Sequence, residues 1–238
     1  MEGRTTTNYI DVLRKVTDVI KIVPEVAIAD FEKAERKALQ TVFPNVQVRG
    51  CFFHYSQALV HNADKHKILK GDQKELGWGA TNLLIALAFL PEQLIEEGFN
   101  IIDKIIFNDC KYLQSFFNYY RDTWLNGFKP GSFCIFKKLH RTNNVSERHN
   151  RELRESLNKH SRIVEFLVHL TEHQKSIRSF IKHPKFWARS ERNKLRLKKD
   201  KIQKIWNTIE ETQDLDMLLI LHSLSELVGK GRMDSSTC

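Results

Sequence analysis

Four side chains carry the chemistry legible in this sequence. They are Asp30, Cys51 and His54 of Cys51-Phe52-Phe53-His54, and Glu147 of Arg141-Thr142-Asn143-Asn144-Val145-Ser146-Glu147. Carboxylates supplied by distant segments can hold Mg²⁺ between oxygen ligands, as two-metal phosphoryl-transfer sites do. That makes Asp30 and Glu147 candidate metal ligands. Cys51-x-x-His54 has the internal spacing of a zinc half-site. A structural zinc needs four ligands, and His61, His66, Cys110, Cys134 and His140 are each able to extend the pair. Plainer roles exist for each residue. Asp30 is a good N-cap for a following helix. Cys51 and His54 fit a buried thiol and a hydrogen-bonded imidazole where a strand meets a helix. Glu147 is spaced to pair with Arg151 one helical turn on.

The elements that position these residues follow from periodicity. Thr5-Thr6-Thr7-Asn8 offers N-caps. Tyr9, Ile10, Leu13, Val16 and Ile20 then recur at helical spacing, and Pro24 closes the helix. Val26-Ala27-Ile28-Ala29 reads as a short buried strand delivering Asp30. Phe31 to Val42 is helical, Pro44-Asn45 turns, and residues 46–50 alternate as a second strand ending at Cys51. A strand-helix-strand unit of this kind predicts parallel strands. From Cys51 onward the chain reads as helices over 52–69, 77–90, 91–108, 110–126, 143–159, 161–182 and about 191–228, with a loop at 127–131. The expected divisions are a partial α/β core (1–54), a helical insertion (55–140), helices carrying the Glu147 motif (141–182) and a basic helical tail (183–238).

Hydrophobic content of 41% and aromatic content of 10% support a core. No apolar run approaches about 20 residues, so no membrane span is expected. The four cysteines show no secretory pairing pattern and no signal peptide is recognisable, so an intracellular protein with reduced thiols is expected. Positive charge is concentrated. Residues 178–204 hold eleven Lys and Arg against Glu191 and Asp200, which equals the whole excess of +9; the rest is neutral. Such a stripe draws polyanions, and DNA is the expected partner. Arg192, Lys194, Arg196, Lys198 and Lys199 are the candidate contacts there, and Arg151 and Arg154 are candidates beside Glu147. A nuclear-localisation patch or a solvated helix face would show the same composition. Trp78, Trp124, Trp187 and Trp206 read as core, with Trp187 also placed for contact with bases.

Together these segments resemble the transposase domain of Mutator-like (MULE) DNA transposons. The likeness runs through Gly3-Arg4-Thr5 to Tyr9, Ala29-Asp30-Phe31-Glu32-Lys33-Ala34, Phe43-Pro44-Asn45 to Gly50-Cys51-Phe52-Phe53-His54, and Arg141-Thr142-Asn143-Asn144-x-x-Glu147, covering about residues 3–180. The resemblance implies an α/β, predominantly helical chain: the C-terminal part of an RNase H-like fold with a large helical insertion. It implies an Asp, Asp, Glu site using Mg²⁺ or Mn²⁺, in which Asp30 is the second aspartate and Glu147 the glutamate. The chemistry would be hydrolysis of a DNA phosphodiester, then attack of a 3′-OH on target DNA.

Two positions depart from the pattern. The family's first aspartate lies on an early strand that this chain does not show, and Asp11 and Asp18 fall inside an amphipathic helix instead. Where the family often places a histidine three residues after the glutamate, Asn150 stands here, with His149 beside it. The expectation is a nuclear, transposase-derived protein that does not cleave DNA alone, with Zn²⁺ possible at Cys51 and His54. Its expected partners are DNA and either a second copy or a full-length transposase. The alternative is a non-catalytic DNA-binding or regulatory protein of the same origin.

Overall fold

Hydrogen-bonding demand sets the first helix. The Thr5 hydroxyl accepts from the Asn8 N–H at 3.2 Å, which caps α1, Thr6–Ile20. The helix ends where Lys21 turns left-handed at φ 58°. The computed structural model describes residues 3–21, 23–156, 162–182, 193–212 and 215–229. Contacts divide the chain into two compact units, Met1–Thr142 with Lys198–Cys238, and Asn143–Leu197.

In the first unit, β1, Val26–Ala29, pairs in parallel with β2, Gln47–Gly50. The register sets Val26 against Gln47 and Ala29 against Gly50. The crossover between them is α2, Lys33–Val42, against which α1 packs. Ala29, Leu39, Phe43 and Val46 form a small core beneath this α/β corner. The expected start of α2 at Phe31 is two residues early. Asp30, Phe31 and Glu32 form a loop instead, because the Phe31 ring leaves the helix to pack against the larger core described next.

That core belongs to the helices. α3 is Phe52–Lys65, α4 Lys74–Ala86, α5 Ile95–Asp109 and α6 Gln114–Tyr120. Short 3₁₀ turns at Leu87–Phe89 and Glu92–Leu94 replace the expected helix ends around Pro91, which supplies no N–H to continue a helix. A π-helical stretch, Arg121–Phe128, extends α6 and buries Trp124 and Leu125. The expected single helix over 191–228 is two: α9, Asn193–Glu211, and α10, Met217–Gly229, with the Asp216 carboxylate capping the second by accepting from Leu219 N–H at 3.1 Å. Neither is a tail. Ile202, Trp206 and Ile209 of α9 and Met217, Ile220, Leu221 and Leu224 of α10 are buried in the same core as Leu84, Phe99 and Tyr120. Gly98 lets α10 come close: a Cβ there would stand 2.9 Å from Leu90 Cδ1 and 3.6 Å from Leu221 Cδ1. Trp206 donates its indole N–H to the Phe89 carbonyl at 2.8 Å. Trp124 is buried as expected, whereas Trp78 is 41% exposed on α4.

The second unit holds α7, Asn144–Ser156, and α8, Ile163–Lys182. His149 of α7 and His173 of α8 meet with ring nitrogens 3.1 Å apart. The described chain is thus predominantly helical with one short parallel α/β corner, and none of its described helices is long and apolar enough to cross a membrane.

Candidate metal centre

Parallel register brings two of the singled-out residues side by side. Because Ala29 pairs with Gly50, the next residues, Asp30 and Cys51, leave the two strand ends together. The Cys51 N–H donates to the Ala29 carbonyl at 2.9 Å, extending the ladder past the strands. Cys51 is the N-cap residue of α3, fully buried, and its side chain makes no capping hydrogen bond. His54 lies in the first turn of α3, and its Nδ1 is 2.8 Å from Asp30 Oδ1. Donor atoms of Asp30, Cys51 and His54 all lie within 4.8 Å of one another. Asp30 and the Cys-x-x-His pair, inferred separately from sequence, stand together in one group of donors.

Aromatic packing fixes the two arms. On the Asp30 side, Phe31 meets Trp124 edge-on at 4.7 Å and Phe128 at 4.9 Å, and the Arg36 guanidinium sits 5.6 Å over its ring. On the α3 side, Phe52 packs edge-on against Phe89 at 5.2 Å, and the buried Tyr55 stacks on Phe133 at 4.8 Å. With Phe52 and Tyr55 turned into the core, His54 is left facing the strand ends. Gly50 is required at this junction, since a Cβ there would stand 2.2 Å from the Phe31 ring and 2.7 Å from the Ser132 carbonyl oxygen.

Glu32 occupies the N-cap position of α2, and its side chain makes no cap bond. Glu32 instead accepts from the Tyr9 hydroxyl at 3.1 Å and lies 3.9 Å from Arg4. Glu35, half-buried on α2, joins the same field. Burial first, then the Asp30 and Glu32 carboxylates, push its carboxyl above the usual range, while Arg36 and His54 oppose the shift. Sequence reasoning passed over Glu35 and Phe31. The available signal was the run of acids at 30, 32 and 35 around a single phenylalanine.

The donor set decides which ion the site suits. Mg²⁺ takes oxygen ligands in near-octahedral geometry at about 2.0–2.1 Å. Asp30 offers such an oxygen, but the donors grouped with it are a thiol and an imidazole, which suit softer ions. Asp30 thus stands in a group of mixed hard and soft donors. Among the described residues no fourth Asp, Glu, His or Cys joins the group. Two of the expected extenders are engaged elsewhere: a ring nitrogen of His66 is 3.1 Å from the Ser115 hydroxyl, and the Cys134 thiol donates to the Leu90 carbonyl at 3.3 Å.

Glu147 belongs to the second unit, in the first turn of α7, with its N–H donating to the Asn143 carbonyl at 3.2 Å. One turn along, Arg148 and Glu152 form an ion pair at 3.7 Å, while Arg151 and Arg154 are exposed. Arg141, which belongs to the first unit, accepts through its carbonyl from Phe52 N–H at 2.8 Å, and its guanidinium lies 4.9 Å over the Trp206 ring.

On α9, Arg196 and Lys199 are exposed and Lys198 is half-buried. Lys201 and Lys204 extend the exposed basic face, opposite buried Ile202, Trp206 and Ile209. Arg192, Trp187 and the side chain of Lys194 lie outside the described residues.

No curated protein and no solved structure matches the chain. One family model does, over about a quarter of its length; the match takes in Asp30, Cys51 and His54 and ends well before Glu147. Residues 1–58 match the MULE transposase domain.

Proposed function

We propose that this is a transposase-derived protein whose working activity is contact with DNA, made by the exposed basic face of α9 and by Arg151 and Arg154. The family match over residues 1–58 supports the origin. The observation that carries DNA contact is the division of α9: Ile202, Trp206 and Ile209 go into the core, and Lys199, Lys201 and Lys204 stay exposed on the part of the helix the core holds in place, with Arg196 exposed earlier on the helix. Basic side chains spread over the exposed surface of a helix neutralise phosphates without reading bases, so the binding is salt-sensitive and weakly sequence-selective. In this reading β1, α2, β2 and α3 are the C-terminal strands and following helix of an RNase H-like core, and the helices from α4 to α6 are its insertion. The nucleus is the proposed site of action. No strand-cleavage step is assigned to the chain.

Fluorescence anisotropy of a labelled duplex across a salt series tests this. The wild type should bind with a steep salt slope. Replacing Arg196, Lys199, Lys201 and Lys204 by Gln should flatten it by about 0.9 per lost phosphate contact. Binding unchanged in the fourfold variant would refute the assignment. Nicking with Mn²⁺ that disappears in Asp30→Ala, Glu147→Ala would restore the enzyme reading.

A further inference from the structure

We propose that Asp30, Cys51 and His54 form one binding site for a thiophilic divalent cation of the Zn²⁺ class, with its remaining coordination open to water or an added ligand. The inference does not rest on DNA binding, which involves other residues.

Three observations carry it. The donors are a thiol, an imidazole and a carboxylate, all within 4.8 Å of one another, on three backbone positions fixed by strand pairing and one helical turn. Ligands sharing a tetrahedral Zn²⁺, with bonds of about 2.0–2.3 Å, stand roughly 3.3–3.8 Å apart, so the group needs to contract by only about 1 Å. Burial is graded across the site. Cys51 is fully buried, His54 is 29% exposed and Asp30 43% exposed, so an ion arrives from the solvent side and meets the sulfur at the floor. The field is also right in sign, since Glu32 and Glu35 stand with Asp30 on the same side of the corner.

In the metal-free protein His54 Nδ1 lies 2.8 Å from Asp30 Oδ1. The ion would sit among the three donors; the thiol gives its proton to water, and the sulfur binds as thiolate. Three protein ligands leave a position open, as in exchangeable zinc sites and unlike closed four-ligand structural ones. The bound ion would clamp the end of β1 to the start of α3. It would also engage Asp30, one of the two carboxylates that the family resemblance assigns to Mg²⁺.

Cobalt titration of the chelator-treated full chain tests the site. Co²⁺ should bind 1:1, with a thiolate charge-transfer band in the near-ultraviolet and intense visible bands of tetrahedral type. Zn²⁺ should bleach them, and millimolar Mg²⁺ should not. Cys51→Ser should abolish the charge-transfer band, and His54→Ala and Asp30→Asn should each weaken Co²⁺ at least about tenfold. His54 and Asp30 are partly exposed, so those variants should keep the metal-free melting temperature and report on the site even if Cys51→Ser fails to fold. No thiolate band in the wild type, a band that survives Cys51→Ser, undiminished affinity in both His54→Ala and Asp30→Asn, or displacement of Co²⁺ by Mg²⁺ would each overturn the proposal. The salt-dependent DNA assay is read separately: loss of DNA binding with the cobalt spectrum intact removes only the DNA reading.

Discussion

His54 Nδ1 and Asp30 Oδ1 lie 2.8 Å apart, although 24 residues separate them and they stand on different elements. The contact exists because two four-residue strands pair in parallel and release their next residues at the same edge. It joins a motif carboxylate to a motif imidazole. It also places both beside the Cys51 thiol, in one group of three donors.

Phe31 holds Asp30 in place, so Phe31→Ala should act twice. Loss of its edge-on contacts with Trp124 and Phe128 should destabilise the protein by about 3 kcal/mol, the lower end for a phenylalanine core truncation because the ring is half-buried. It should also weaken Co²⁺ binding. Urea unfolding and the cobalt titration check the two effects, and a variant as stable as wild type would contradict the positioning role.

Glu35 makes stability depend on pH in a definite direction. Burial and the neighbouring carboxylates raise its pKa in the folded protein. The folded state therefore holds the Glu35 proton more tightly than the unfolded chain does. That contribution is fully present below the ordinary carboxylate range and is lost as pH rises through the raised value. Glu35→Gln stays neutral throughout. It should melt like wild type at about pH 4 and above wild type at about pH 8. Thermal melts at the two values decide it, and a lower melting temperature for the variant at the higher pH would count against the burial argument.

Two buried hydroxyls should behave as a coupled pair. Tyr55 donates to the Leu84 carbonyl at 2.8 Å, and the Tyr55 and Tyr120 oxygens are 2.9 Å apart, so Tyr120 donates to Tyr55. Burial raises both phenol pKa values, so both stay protonated across the physiological range. Tyr55→Phe strips Leu84 and Tyr120 of a partner and should cost about 1–3 kcal/mol. Tyr120→Phe should cost about 1 kcal/mol. The double variant should lose less than the sum by at least about 0.5 kcal/mol, because the second change removes a group already stranded by the first. Strict additivity in chemical denaturation would rule the link out.

The first helix predicts self-association. Val12, Val16, Val19, Ile20 and Val23 are exposed along one side of α1 and the segment after it, with Val19 at 82%, and Val26 of β1 adds to them. An apolar ridge of this kind, beside a strand whose outer edge has no partner strand among the described residues, favours a second copy. Light scattering after gel filtration should show species larger than a monomer, shifted towards monomer by Val12→Gln, Val16→Gln and Val19→Gln. A wild-type monomer at high concentration would contradict this.

Local signals placed most of the elements and the motif residues. Thr5 as N-cap, the apolar run into Asp30, the strand into Cys51 and the predominance of helix are all consequences of short-range preference, in which each residue's neighbours in sequence set its backbone. Charge counting likewise found the basic stretch, because net charge needs no coordinates. The meeting of Asp30 with Cys51 and His54 was not legible, since strand register is a long-range pairing and a shift of one residue would have separated them. Nor was the role of Phe31, whose ring leaves a helical pattern because burial against Trp124 and Phe128 outweighs two residues of helix. The C-terminal helices show the same division. Their sequence announces a basic surface, but only packing turned Trp206, against Phe89 and Phe136, and Leu221 and Leu224, on the helix against α4 and α5, into core and left the lysines of α9 outside.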